Sequence, residues 1–208
     1  MEKSYQLGLY EKSMPSTLTW REKLTAAKKA DFDYVEMSID ETDEKLARLH
    51  MSAEEKEEIR AAMRETGVMF GSICLSGHRK YPLGDPDPAK QARSMEIMAD
   101  AVKLAAELGI RTIQLAGYDV YYDEGTEETR AAFARNLARS ALLAARGGVQ
   151  LGFETMETPF MDTVEKAMHY VDLVDSPYLG VYPDSGNLTN AALIYGKSVL
   201  DDMETGRG

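Results

Sequence analysis

Acidic residues close two of the apolar segments in this 208-residue sequence. Glu154 ends the segment QLGFE, and Asp184 ends the segment LGVYPD. Two carboxylates held close together repel each other unless a cation or a shared proton offsets their charge. Divalent ions take oxygen ligands, and histidine joins them for the transition metals. Acidic residues at strand ends also serve commonly as helix N-caps, so the pair alone leaves a metal site and a capping role both open.

Other polar residues stand at the ends of other apolar segments. Tyr10 ends the first, Glu36 lies in the second, His78 and Arg79 follow the third, and Asn187 follows Asp184. A histidine or a carboxylate there can bind a sugar hydroxyl, and an arginine can bind a phosphate through its forked donors. The same residues also occur as backbone caps, ion-pair partners and solvated loop cations. The pattern therefore predicts one polar rim without fixing the role of each side chain.

The elements that must position this rim are short apolar segments separated by helical patterns. The predicted strands are residues 6–11, 34–39, 69–75, 111–115, 150–154 and 179–184. Strict alternation of strands and helices indicates a parallel sheet covered by helices. No glycine-rich phosphate fingerprint follows the first strand, which favours a (β/α)₈ TIM barrel over an open doubly wound sheet. In such a barrel, the site forms at the carboxyl ends of the strands.

Composition narrows the class of protein. The formal net charge is −11, which argues against a nucleic-acid surface because phosphate backbones require clustered positive charge. No apolar run approaches the roughly 18 residues of a membrane helix. With a single cysteine, no internal disulfide can form, so a cytoplasmic location is expected. We therefore expect a small-molecule partner, with no nucleic acid and no membrane.

Five segments carry a family resemblance. They are GLYEK at 8–12, FDYVEMSIDETD at 32–43, CLSGHRKYPLG at 74–84, IQLAGYDVYY at 113–122 and YPDSGNL at 182–188. In this order and spacing they resemble the L-ribulose-5-phosphate (L-xylulose-5-phosphate) 3-epimerases, which belong to the xylose-isomerase-like TIM barrels. The resemblance implies an isomerase-class enzyme that interconverts L-xylulose 5-phosphate and L-ribulose 5-phosphate in pentose or ascorbate breakdown. A homodimer is one arrangement that the resemblance implies.

The resemblance also implies a divalent metal ion (Mn, Zn, Co or Mg) held by Glu, Asp, His and Glu. Glu154 matches the first metal ligand and a catalytic acid–base group, and Asp184 matches the second ligand. The implied substrate-binding residues are Tyr10, Glu36, His78, Arg79 and Asn187.

The sequence is expected to form one TIM-barrel domain over residues 1–208 that holds about the first six βα units. The third and fourth metal ligands are then expected beyond Gly208, so activity is expected of a longer polypeptide. Two alternatives remain open: an isomerase or epimerase of a related or unphosphorylated ketose, and a non-catalytic sugar-phosphate-binding fragment. A DNA-repair nuclease of the same superfamily is disfavoured because the net charge is negative and because the sequence contains only three histidines.

Overall fold

The computed structural model describes residues 4–206 as one parallel sheet with helices packed against it. The strands are β1 Gly8–Tyr10, β2 Tyr34–Ser38, β3 Met69–Leu75, β4 Thr112–Ala116, β5 Gln150–Glu154 and β6 Leu179–Tyr182. Their spatial order is their chain order, from β1 to β6. A doubly wound sheet reverses direction at a switch point, whereas a barrel adds each strand beside the last. The order therefore confirms the predicted barrel architecture, and all six predicted strands are present.

The helices are α1 Trp20–Lys29, α2 Asp43–Ala47, α3 Ala53–Thr66, α4 Pro88–Leu108, α5 Glu127–Gly147, α6 Val164–Val174, α7 Ser185–Tyr195 and α8 Val199–Glu204. A capping box begins α3, where Ser52 and Glu55 satisfy each other's backbone N–H groups. Gly67 then ends α3 with φ of 72°, in the left-handed region that glycine enters without steric cost. None of the helices within residues 4–206 combines the length and apolar character needed to cross a membrane.

The strands alternate between two faces. In β5, Leu151 and Phe153 are fully buried against the helices, whereas Gly152 and Glu154 lie on the opposite face. This period of two places the apolar residues in the core between sheet and helices, and the polar residues on the concave interior of the sheet. The Tyr182 hydroxyl on β6 donates to Glu36 Oε2 on β2 at 3.2 Å, so the sheet curls far enough for these strands to meet across its interior.

A buried ion cluster fixes the turn after β1. The Glu11 carboxylate is 1% exposed and accepts from Lys23 Nζ at 2.7 Å, Lys45 Nζ at 3.1 Å and Arg48 Nη1 at 2.7 Å. It also accepts from the Ser38 backbone N–H at 2.9 Å. We call Glu11 and its three cations the Glu11 cluster. One carboxylate thus joins the end of β1 to α1, to the end of β2 and to the α2 region.

The Glu11 cluster predicts a loss of stability in acid. Burial would raise the pKa of Glu11, but the hydrogen bonds from Arg48, Lys23 and Ser38 outweigh it and lower the pKa from 4.5 to about 2. A carboxyl whose pKa is lower in the folded state stabilises the fold above its unfolded pKa. This contribution should therefore be lost as the pH falls from about 4.5 towards about 2. Urea unfolding at neutral and acidic pH measures the loss, and Glu11→Gln should remove that part of the pH dependence.

Candidate active site

A polar cavity of about 340 Å³ opens at the carboxyl ends of the strands. Residues from all six βα units line it: Tyr10, Lys12, Glu36, Cys74, Ser76, Arg79, Gln114, Ala116, Glu154, Tyr182 and Asp184. A larger groove of about 630 Å³ lies between α4 and α5, at the outer surface and away from the strand ends. Because ligand sites of α/β barrels form at the strand ends, the polar cavity is the candidate site.

Glu154 and Asp184 both line this cavity. Burial raises the pKa of Glu154 above its usual value of 4.5, and the negative charges of Asp184 and Glu36 raise it further, to about 7. A side-chain hydrogen bond from Gln114 and the charge of Arg79 act in the opposite direction. A carboxyl with a pKa near neutrality can both accept and donate a proton at the pH of the cell.

Backbone contacts hold Asp184 beside Glu154. The Asp184 N–H donates to Thr155 Oγ1 at 2.9 Å, and Thr155 directly follows Glu154. Asp184 also caps α7, where its Oδ1 accepts from the Asn187 N–H at 2.7 Å. The Asn187 side-chain amide donates to the Thr155 carbonyl at 2.9 Å. Asn187 therefore ties the end of β5 to the start of α7, and it is not among the residues that line the cavity.

The acidic pair fits a divalent ion. Two neighbouring carboxylates provide oxygen ligands, and a cation would offset the repulsion between their charges. Within residues 4–206, no group of three or more His, Cys, Asp or Glu side chains is arranged to hold a metal. The described part of the chain therefore offers Glu154 and Asp184 as two ligands of such an ion.

Glu36 and Tyr10 also line the cavity. Glu36 Oε2 accepts from Ser72 Oγ at 2.6 Å and from the Tyr182 hydroxyl at 3.2 Å, so its side chain is held on two sides. The Tyr10 hydroxyl lies 3.3 Å from Ser38 Oγ and 3.7 Å from Cys74 Sγ. Burial raises the pKa of Cys74 to about 11, so this half-buried thiol is protonated at the cavity wall.

Arg79 brings positive charge to the cavity. Its guanidinium lies over the Tyr121 ring, 5.1 Å from the centroid. Its Nε is buried and has no hydrogen-bond partner among residues 4–206. Tyr122, next in the chain, donates from its hydroxyl to Glu41 Oε1 at 2.8 Å and so links the loop after β4 to the loop after β2. An arginine that lines a cavity suits an anionic ligand.

His78 does not reach the cavity. It is 3% exposed, and its Nε2 lies 3.2 Å from the Ser94 carbonyl in α4. Burial lowers the pKa of His78 to about 4, so the imidazole is neutral. The one-turn 3₁₀ helix Ser76–Arg79 directs this side chain towards α4, whereas Arg79 lines the cavity. This placement gives no support to the predicted contact between His78 and the substrate, because the ring is enclosed by protein.

Gly117 leaves room for the Glu154 backbone. A Cβ at residue 117 would lie 2.5 Å from the Glu154 carbonyl oxygen and 2.5 Å from Met161 Cγ. Gly117→Ala should therefore displace β5 and destabilise the fold by about 1–3 kcal/mol. Gly180→Ala on β6 is the matched control, since its nearest neighbour would be Gln150 Nε2 at 3.8 Å. Chemical denaturation of both variants measures the difference, and equal midpoints would contradict this account.

The fold and the cavity together define the class of protein. The family model described as the xylose isomerase-like TIM barrel matches residues 24–204. The chain therefore belongs to the xylose isomerase-like TIM barrel family, and the predicted resemblance is confirmed.

Two individual relatives match most of the chain. SgbU from Escherichia coli (strain K12) is 47% identical over 204 residues, which cover 98% of this chain and 70% of SgbU. The L-ribulose-5-phosphate 3-epimerase UlaE from Escherichia coli (strain SMS-3-5 / SECEC) is 47% identical over 189 residues, covering 91% of this chain and 66% of UlaE. The chain thus spans 66–70% of the length of these two relatives.

A solved structure matches the fold. The crystal structure of D-psicose 3-epimerase in the presence of D-fructose superimposes with a TM-score of 0.79. The match covers 97% of this chain and 70% of that chain, at 18% sequence identity. It supports the barrel fold alone.

Proposed function

We propose that this chain belongs to a divalent-metal-dependent 3-epimerase that interconverts L-xylulose 5-phosphate and L-ribulose 5-phosphate. The observation that carries the proposal is the meeting of Glu154 and Asp184 in a cavity that Arg79 also lines. The relatives named L-ribulose-5-phosphate 3-epimerase, at 43–47% identity, support the same reaction. They also support an isomerase-class enzyme over a non-catalytic binding module.

Epimerisation at C3 of a ketose removes the proton beside the C2 carbonyl and returns one to the opposite face. Glu154 is suited to one of these transfers, because its carboxyl lines the cavity and can take or return a proton there. Glu154 and Asp184 would also be ligands of the metal. When bound, the divalent ion supplies a positive charge that polarises the ketose carbonyl and stabilises negative charge beside it. The group that serves the opposite face is not assigned within residues 4–206.

The other cavity residues would bind the substrate. Tyr10 and Glu36 present polar groups to the sugar hydroxyls, and Arg79 presents a guanidinium suited to the phosphate. Asn187 would act indirectly, by holding Asp184 in place. We do not assign a substrate contact to His78. The role in pentose or ascorbate breakdown, the cytoplasmic location and the homodimer stay predictions from the sequence.

The phosphate assignment is tested by comparing L-ribulose 5-phosphate with free L-ribulose in the presence of a divalent ion. A hydrogen bond between charged groups contributes about 1.5–3 kcal/mol, so we expect kcat/KM to favour the phosphate ester by roughly 10- to 100-fold. A preference for the free sugar would reassign the protein to unphosphorylated ketoses. Binding of the phosphate ester without turnover would favour the non-catalytic alternative.

A further inference from the structure

One carboxylate oxygen of Glu36 receives two hydrogen bonds. Ser72 Oγ donates to Oε2 at 2.6 Å from the neighbouring strand β3, where Ser72 is the register partner of Glu36. The Tyr182 hydroxyl donates to the same oxygen at 3.2 Å from β6. These two neutral hydroxyls are the hydrogen-bond partners that residues 4–206 offer to the carboxylate. The second oxygen, Oε1, therefore has its lone pairs free within the described part of the chain.

Oε1 is open to the cavity. Glu36 is half-buried and lines the cavity, and its Oε1 differs from the fully enclosed unpaired atoms of residues 4–206 in keeping contact with solvent. A half-buried carboxylate normally has a cation or several donors beside it, because desolvating a charge is costly. A ketose phosphate carries hydroxyl groups, which can supply the missing donor. The free oxygen therefore suits a sugar hydroxyl.

Tyr182 carries its contact with Glu36 across the interior of the sheet. It ends β6, pairs in register with Glu154 and stands two residues before Asp184. Gly152 leaves room for its side chain, since a Cβ at residue 152 would lie 3.2 Å from Tyr182 Cβ. Burial and the negative charge of Glu36 raise the pKa of Tyr182, so the phenol stays protonated and donates. The hydroxyl thus ties Glu36 to the strand ends that hold the acidic pair.

The two hydrogen bonds fix the orientation of the Glu36 carboxylate. The terminal torsion of a glutamate is broad, so a carboxylate without partners would turn freely. Two donors on Oε2 hold that torsion and leave Oε1 as the oxygen presented to a ligand. We propose that Tyr182 and Ser72 are positioning residues, which hold Glu36 so that its Oε1 accepts a hydrogen bond from a hydroxyl of the bound ketose phosphate. This inference rests on the proposed function.

Glu36→Gln tests the role of the two oxygens. The hydroxyls of Ser72 and Tyr182 can still donate to the amide oxygen, which leaves the NH₂ group in the place of Oε1. The sugar hydroxyl then loses its hydrogen bond to a charged acceptor. We expect KM for L-ribulose 5-phosphate, measured with Mn²⁺ present, to rise by about tenfold.

Tyr182→Phe tests the positioning role, because it keeps the ring and removes only the hydroxyl. We expect KM to rise by roughly threefold to tenfold and kcat to stay near its native value, as when binding is lost equally in the ground and transition states. The double variant with Glu36→Gln should show the KM of Glu36→Gln alone, since the hydroxyl acts through Glu36. Ser72→Ala removes the other donor to Oε2 and provides the same comparison if Tyr182→Phe folds poorly.

Tyr178→Phe is the matched control, because it removes the hydroxyl of a half-buried tyrosine that directly precedes β6, at the end away from the cavity. It should leave KM and kcat unchanged. An unchanged KM in Tyr182→Phe, or the same rise in KM with and without Glu36→Gln, would overturn the positioning role and leave the proposed function standing. No conversion of L-ribulose 5-phosphate by the unmodified protein would overturn the proposed function itself.

Discussion

Replacing Glu154 with glutamine is expected to lower kcat for C3 epimerisation by a factor of about 10²–10⁴, the usual contribution of a positioned acid–base group. Glutamine keeps the size of the side chain but can neither take nor return a proton at C3. It also removes one anionic ligand from the pair formed with Asp184. The rate of conversion of L-ribulose 5-phosphate to L-xylulose 5-phosphate measures the effect.

Glu157→Gln is the matched control for this substitution, because Glu157 is exposed in the loop that follows β5. It should keep the native rate. Thermal unfolding of Glu154→Gln should show an intact fold, since removing a carboxylate that the charges of Asp184 and Glu36 repel relieves that repulsion. A near-native rate in Glu154→Gln would remove this residue from the mechanism.

Replacing Glu11 with glutamine is expected to destabilise the fold by about 3–5 kcal/mol, the usual loss when one partner of a buried ion pair is removed. Lys23, Lys45 and Arg48 all donate to this carboxylate, and their side chains are at most 14% exposed. In the variant, three cations would face a neutral amide that also carries donors of its own. Urea unfolding near neutral pH measures the difference in free energy.

Glu58→Gln removes the same charge from the exposed face of α3 and is the control for the Glu11 experiment. Surface substitutions of this kind change stability by no more than about 0.5 kcal/mol. If Glu11→Gln unfolded at the same urea concentration as Glu58→Gln, the Glu11 cluster would not be a stabilising element. The turn after β1 would then be held by its apolar contacts.

The fold was predictable where a local pattern is repeated. Six apolar segments that alternate with helical patterns indicated a parallel sheet, and all six form strands of that sheet. The short helices α2 and α8 show no helical pattern in the sequence. Each spans only one or two turns, too short for a period of 3.6 residues to show in the sequence.

The candidate site was predictable where a charged residue ends a strand. Glu154 and Asp184 stood out because each closes an apolar segment. Gln114 lies inside the segment RTIQL, where one polar residue gives no indication that its side chain faces a cavity. His78 and Arg79 are adjacent in one loop, yet only Arg79 lines the cavity, since the turn of the 3₁₀ helix separates their directions. Such directions depend on the folded loop and have no signal in the sequence.

The central claim is that this cavity performs proton transfer at C3 of a ketose phosphate. The most direct test is to incubate the protein with L-ribulose 5-phosphate and Mn²⁺ in heavy water and to follow deuterium at C3 by proton NMR. The account predicts that deuterium enters C3 and that L-xylulose 5-phosphate forms. Sugar that binds yet keeps its C3 proton would contradict it, and would leave a sugar-phosphate-binding module in place of an epimerase.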